Sequence, residues 1–270
     1  MASLARTDLR FAVLIDADNV SEKYIKIILD EVSNNGIATY KRIYGDWTST
    51  RLASWKNCLL GNSITPMQQY SYTTGKNATD SALIIDVMNI LHSGNVDGFA
   101  IVSSDSDFTR LAARLREGGM YVIGMGEQKT PEPFVVACNR FKYLDLLHTN
   151  RLAEDANDAS DAHGKKSADA MDKKKAEAVV PAKIEPLRLQ MRAIRETVNA
   201  ILEQFSDDDG WLYISQIGTE LSKRYPDFDV RNYGHTKLSL FLKTLGKNYE
   251  FSDTVDKSGT RHIRMRIRPS

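Results

Sequence analysis

The sequence contains little cysteine and no long apolar run, and each shortage argues against a class of protein. Its two cysteines, Cys58 and Cys138, occur in no Cys-x-x-Cys or Cys/His spacing, which argues against a zinc site and favours buried thiols in a reducing compartment. No stretch approaches the ~20 apolar residues of a membrane span, and residues 1–10 lack the apolar core of a signal peptide. We therefore expect a cytoplasmic protein without membrane contact.

The chain also lacks an excess of charge of either sign. Its 36 basic and 35 acidic residues give a formal net charge of +1, which argues against a polybasic protein. Any contact with nucleic acid must therefore come from local basic patches. The 270 residues, 42% hydrophobic and 26% charged, are typical of one or two soluble globular domains.

Aromatic residues are absent between residues 151 and 183, where Ala, Asp, Lys, Ser and Glu dominate. Such a segment buries too little apolar area to offset its ordering entropy, so we interpret it as a tether with some nascent helix. The sequence thus predicts a first domain over 1–149, a flexible charged linker over 150–185 and a second domain over 186–270.

The first domain alternates short apolar runs with amphipathic segments, the rhythm of an α/β fold with a parallel sheet. The predicted strands are 11–15, 38–44, 64–69, 98–103, 121–124 and 141–144. The predicted helices are 22–32, 50–58, 79–91, 107–117 and 132–138. Glycines near the helix ends are expected to close the last turns in left-handed conformation: Gly36, Gly61, Gly94, Gly118 and Gly119.

Carboxylates follow two of these strands directly. Asp16 comes after 11–15, and Asp105 and Asp107 come after 98–103. Ligands of open α/β sheets bind at this rim, and converging carboxylates repel one another unless a cation neutralises them. Asn19 and Asp80 flank predicted helix starts; each could join this site or serve only as a helix cap or dipole partner. The pattern favours a divalent metal site for phosphate chemistry.

These motifs resemble the NYN domain, a PIN-like family of metal-dependent ribonucleases. The resemblance rests on Asp-Ala-Asp-Asn at 16–19, on the loop 76–80 that brings an acid to a long apolar helix, and on Ser-Asp-Ser-Asp-Phe at 104–108. It extends over the short helix and strand of 134–147 and thus covers the first domain. It implies a PIN-like parallel-sheet sandwich.

The resemblance also implies the chemistry: hydrolysis of RNA phosphodiester bonds with Mg²⁺ or Mn²⁺, endonucleolytic rather than exonucleolytic. Asp18 is an acid that the family pattern does not require. The implied metal ligands and catalytic carboxylates are Asp16, Asp80, Asp105 and Asp107, with Asn19 as their polar companion. Candidates for gripping a single RNA strand are Lys41, Arg42, Trp47, Arg51, Tyr70, Tyr72 and Lys76, although a solvated face and core aromatics explain any one of them equally well.

Two other functions fit parts of the pattern. Residues 16–20, Asp-Ala-Asp-Asn-Val, also satisfy the motif of haloacid-dehalogenase-like phosphatases, in which Asp16 would be a covalent nucleophile and Asp18 the acid/base. The loop before Asp80 and the absence of a clear cap insertion argue against that class. A noncatalytic RNA-binding adaptor is the other alternative, and the complete set of acids argues against it.

The sequence of the second domain predicts helices followed by a terminal β-ribbon with strands at 249–255 and 261–268, the order found in winged-helix folds. Four short motifs lie within residues 210–255: Gly-Trp-Leu-Tyr-Ile-Ser at 210–215, Pro-Asp-Phe-Asp at 226–229, Tyr-Gly at 233–234 and Lys-Leu at 237–238. On these motifs the segment resembles the LOTUS domain, also called OST-HTH. In the last strand Ile263, Met265 and Ile267 are expected to pack while basic residues alternate with them. The resemblance implies binding of single-stranded or structured RNA, or of a protein partner; homodimerisation stays open. The candidate RNA-binding residues are Tyr233, His235, Lys237, Arg264 and Arg266, although a basic edge strand also discourages aggregation.

Overall fold

The computed structural model describes residues 8–70, 78–161, 184–255 and 261–268. Its contacts divide the chain into two units. The first comprises Met1–Thr149 with Tyr225–Asn232, and the second comprises Asn150–Arg224 with Tyr233–Ser270. None of the helices in the described part of the chain combines the length and the apolar character needed to cross a membrane.

The first unit is built on a six-stranded sheet in which every pair of neighbours is parallel, as the sequence predicts. Its strands are β1 (Leu9–Asp16), β2 (Gly36–Gly45), β3 (Thr65–Gln68), β4 (Gly98–Val102), β5 (Tyr121–Gly126) and β6 (Arg140–Tyr143). The spatial order is β3-β2-β1-β4-β5-β6. The direction of winding reverses between β1 and β4, and open sheets of this kind bind ligands beside that reversal.

Helices cover both faces of this sheet. They are α1 (Ile25–Ser33), α2 (Ala53–Leu59), α3 (Ala78–Ser93), α4 (Thr109–Glu117), α5 (Glu132–Ala137) and α6 (Leu144–Asp161). Side chains alternate along β1, so that Val13 packs with α1, α2 and α6 while Leu14 packs with α3, α4 and α5. The result is a three-layer α/β/α domain whose central strands are buried on both faces.

Two glycines close helices as predicted, because Gly94 and Gly119 have φ values of 65° and 79° after α3 and α4. Gly36, Gly61 and Gly118 do not adopt this conformation. Helix α6 continues to Asp161, so its last turns fall inside the range predicted as linker. Helical propensity of the Ala- and Leu-containing run from 144 explains this extension.

The first unit includes a short segment from later in the chain, Tyr225–Asn232. The N–H of Phe141 in edge strand β6 donates to the carbonyl of Pro226 at 2.8 Å. Lys142 lies 2.5 Å from Asp229, and Arg231 lies 2.7 Å from Glu31. The two cations beside it hold the pKa of the Asp229 carboxyl well below its ordinary value, although burial opposes them. Nothing in the periodicity of the sequence predicts this pairing.

The second unit combines helices with a small antiparallel sheet. Its helices are α7 (Ile184–Phe205), α8 (Ile214–Arg224) and α9 (Leu238–Thr244), and its strands are β7 (Leu212–Tyr213), β8 (Tyr249–Val255) and β9 (Arg261–Ile267). The sheet order is β7-β9-β8. Met265 of β9 is fully buried as predicted, whereas Ile267 at the strand end is 41% exposed. The β-ribbon is therefore confirmed, but its apolar face stops packing before the last residue.

Candidate active site

Asp16 lies at the buried bottom of the acidic site. It ends β1 with no solvent exposure, and burial raises the pKa of its carboxyl. Three groups donate hydrogen bonds to it: Asn19 Nδ2 at 2.7 Å, Ser103 Oγ at 2.8 Å and the backbone N–H of Asp18 at 3.1 Å. These bonds fix the carboxylate and link the end of β1 to the segment that follows β4.

Asp105 and Asp107 reach the rim through a tight turn after β4. The Ser103 hydroxyl accepts a hydrogen bond from the N–H of Asp105 at 3.1 Å, and Asp105 Oδ1 accepts one from the N–H of Asp107 at 2.9 Å. Asp105 thereby caps the helical turn 106–108 that leads into α4. Only one carboxylate oxygen of Asp105 accepts the capping bond. Asp105 can therefore cap this turn and still offer its other oxygen to a metal ion.

Asp80 arrives from the first turn of α3 and is 9% exposed. Burial raises the pKa of its carboxyl to about 6, and the charges of Asp16, Asp105, Asp107 and Asp18 add to the rise. The structure therefore brings together acids that the sequence places in three separate motifs. A bound cation would relieve their mutual repulsion.

Oxygen atoms of Asp80, Asp105 and Asp107 lie within 4.8 Å of one another. Carboxylate oxygens are the ligands that Mg²⁺ and Mn²⁺ prefer, so these three side chains could together hold one hard divalent cation. Asp16 is outside this trio of carboxylates but close enough for its charge to act on Asp80. Its role as a direct metal ligand stays a prediction.

Asp18 connects the site to its surroundings. The hydroxyl of Thr79 donates to Asp18 Oδ2 at 2.9 Å, and Arg51 Nη2 lies 3.2 Å from Asp18 Oδ1. The bond between Thr79 and Asp18 is not predicted from the sequence, in which Thr79 is simply a hydroxyl residue next to Asp80 at the start of a predicted helix. The ion pair places the exposed guanidinium of Arg51 beside the acidic rim.

Asn19→Ala is expected to weaken Mn²⁺ binding by about 10–100-fold, because it removes the amide that fixes Asp16. Titration with Mn²⁺ followed by electron paramagnetic resonance measures this affinity. Asn57→Ala, an exposed change on α2, is the matched control. Equal Mn²⁺ affinities in the two variants would show that Asn19 serves only the turn and does not support metal binding through Asp16.

The other predicted RNA contacts of the first unit are already engaged within it. Lys41 Nζ donates to the carbonyl of Asn62 at 2.6 Å, and the Trp47 indole donates to that of Met67 at 3.1 Å. Arg42 lies 2.5 Å from Asp86 on α3. Tyr70 is 54% exposed, and Tyr72 and Lys76 lie outside the described residues. Among the candidates that the structure describes, Arg51 alone is brought directly to the acids. Contact of any of these residues with RNA stays a prediction.

In the second unit the predicted residues form two groups. The guanidinium groups of Arg264 and Arg266 lie 5.4 and 4.5 Å from the Trp211 ring centroid, and Arg266 also pairs with Glu250 at 2.8 Å. The rings of Tyr233 and His235 pack on Phe241, and exposed Lys237 precedes α9.

Comparison with known proteins identifies two families along the chain. The family model for the NYN domain matches residues 10–145, and that for the OST-HTH/LOTUS domain matches residues 186–259. A crystal structure of a protein of unknown function from Vibrio parahaemolyticus is 18% identical, covers 53% of this chain and 96% of its own, and superposes with a TM-score of 0.44. A search of curated proteins gives no match.

Proposed function

Since the chain belongs to the NYN domain family, whose model matches half of it, we propose that it is a metal-dependent ribonuclease. The observation that carries the proposal is the meeting of Asp80, Asp105 and Asp107 at the sheet reversal, with Asp16 buried behind them. Members of this family are typically nucleases, and the acids that the family pattern requires are all present. We further propose that cleavage is endonucleolytic.

The three carboxylates would hold Mg²⁺ or Mn²⁺, and Asp16 with Asn19 and Ser103 would keep them in place. When bound, the cation would lower the pKa of an attacking water and neutralise charge on the phosphate. Asp80, with a pKa of about 6, is ready to exchange a proton for a metal near neutral pH. Arg51 would meet an RNA phosphate beside the rim.

The OST-HTH/LOTUS domain supplies RNA binding, and we propose that it captures the substrate for the nuclease. Tethering two RNA-binding parts in one chain raises the effective concentration of RNA at the acidic site. The Trp211, Arg264 and Arg266 surface offers both stacking and positive charge.

Cleavage of end-labelled and circular single-stranded RNA in Mg²⁺ or Mn²⁺ tests this function. The parent chain is expected to produce fragments from both substrates, and neither EDTA-treated protein nor Asp105→Asn is expected to produce any. Glu154→Gln, which removes an exposed carboxylate on α6, should behave as the parent. A generic phosphate monoester is included as an alternative substrate.

Each other result would contradict the proposal in a defined way. RNA binding without metal-dependent product would identify a noncatalytic adaptor. Fragments from linear but not circular RNA would overturn the endonuclease assignment. Release of phosphate from the monoester alone would favour a phosphatase.

A further inference from the structure

A groove of about 550 Å³ runs between α3 and α4 and begins at the acidic site. Asp107 lies at its start and Glu117 at its far end. Ile84 and Met88 line it from α3, and Arg110 and Arg114 line it from α4. None of these four residues is among the sequence-derived candidates for metal or RNA binding.

Helical periodicity explains why the groove leads to the acids. Asp80, Ile84 and Met88 follow one another at four-residue steps, which places them on one stripe of α3. Asp107 lies in the helical turn just before α4, three residues before Arg110, and Arg114 follows four residues later. This spacing places all three side chains on one stripe that continues along α4. Each stripe thus begins at a carboxylate of the acidic site. At 1.5 Å per residue, the α4 wall extends for about 13 Å.

The two walls differ in chemistry. Ile84 and Met88 are half-buried and apolar, while Arg110 and Arg114 are exposed. Arg110 has no ion-pair partner among the described residues. The pair of Arg114 with Glu117 is 3.4 Å long and both side chains are about two-thirds exposed, so this pair is weak and readily exchanged for another anion.

We propose that this groove binds the RNA strand on one side of the scissile phosphate, with Arg110 and Arg114 on its backbone phosphates and Ile84 and Met88 against its bases or sugars. The proposal rests on the proposed ribonuclease function. A single strand presents alternating negative charge and flat apolar faces, which match a guanidinium wall opposite an apolar wall. The strand would enter the acidic site beside Asp107, opposite the side where Arg51 lies against Asp18.

The double variant R110Q/R114Q of the full chain tests the proposal. It is expected to lower kcat/KM for single-stranded RNA by about tenfold or more, through KM rather than kcat, because charged hydrogen bonds to phosphates are lost. Each lost phosphate contact should also reduce the slope of log(kcat/KM) against log[salt] by about 0.7. Lys26→Gln is the matched control, since it removes an exposed positive charge from α1 on the opposite face of the sheet.

Photo-crosslinking without divalent metal separates this proposal from the proposed function. RNA containing 4-thiouridine is expected to crosslink to α3 or α4 peptides of the parent, and less in R110Q/R114Q. If the parent fails to cleave RNA but crosslinks in the groove, the ribonuclease fails and RNA binding by the groove stands. If the parent cleaves RNA while R110Q/R114Q matches Lys26→Gln in KM, salt slope and crosslinks, the groove serves another occupant and the proposal is overturned.

Discussion

Asp80→Asn is expected to lower metal-dependent RNA cleavage by about 100-fold or more and at the same time to raise the Tm of the metal-free protein. Loss of one carboxylate from the trio with Asp105 and Asp107 removes a charge that holds the cation, and each factor of ten corresponds to about 1.4 kcal/mol. The gain in Tm has the opposite origin. The ionised Asp80 is buried among like charges, so the folded protein is more stable without it.

The gain in Tm should depend on pH with a defined sign. The folded-state pKa of Asp80 is raised from 3.8 to about 6, so its ionisation costs stability as the pH rises through that interval. Below about pH 4 the carboxyl is protonated in both states and the variant should match the parent. Above about pH 6 the difference should reach its maximum. Thermal unfolding in EDTA between pH 4 and pH 8 measures it.

Asp86→Asn provides a control on the same helix. Asp86 pairs with Arg42 and accepts a hydrogen bond from the buried Tyr44 hydroxyl, away from the cluster. We expect Mn²⁺ to raise the Tm of the parent by binding the folded state. Asp86→Asn is expected to unfold at a lower temperature yet show the same rise. A metal-free Asp80→Asn protein no more stable than its parent at pH 8 would show that the acids do not repel one another as inferred.

Phe108→Ala is expected to lower the free energy of unfolding of the first unit by about 3–5 kcal/mol, the usual cost of deleting a fully buried aromatic ring. Phe108 directly follows Asp107, and its ring lies 6.5 Å from that of Phe134 on α5. The ring anchors the turn that carries both acids of this segment. RNA cleavage should therefore fall even under conditions where the variant remains folded. Urea unfolding and cleavage assays measure the two effects.

Ile85→Ala separates burial from hydrophobicity. Ile85 is also a large apolar residue near the site, but it is 62% exposed on α3. Its replacement should change the free energy of unfolding by no more than about 0.5 kcal/mol. If Phe108→Ala lowers the free energy of unfolding by less than about 1 kcal/mol, the Phe108 ring is not the anchor of this turn.

The sequence predicts the strands and helices of the first unit well because apolar residues are spaced differently in buried strands and in amphipathic helices. The buried runs around Val13 and Ala100 are too short and too apolar for surface helices, and the glycines at 94 and 119 mark helix ends. Asp16, Asp105 and Asp107 follow from the strand ends alone. Asp80 does not, since its helix crosses between distant strands, and only the family resemblance placed it with the others.

Contacts between distant elements account for what the sequence could not predict. The pairing of Lys142 with Asp229 joins residues 87 positions apart and leaves no periodic trace. The groove between α3 and α4 depends on how two helices lie side by side, although each stripe is visible in the sequence once their adjacency is known. The exposure of Ile267 reflects its place at a strand end, which alternation cannot reveal.

The sheet order also sets when during synthesis the acidic site can exist. Strands β1, β2 and β3 form one half of the sheet, and β4 must then return to pair with β1. The hydrogen bond that links Asp16 to Ser103 closes a loop of 87 residues, a slow step compared with local helix formation. A ribosome-bound chain that has not yet exposed Asp107 therefore lacks part of the carboxylate cluster.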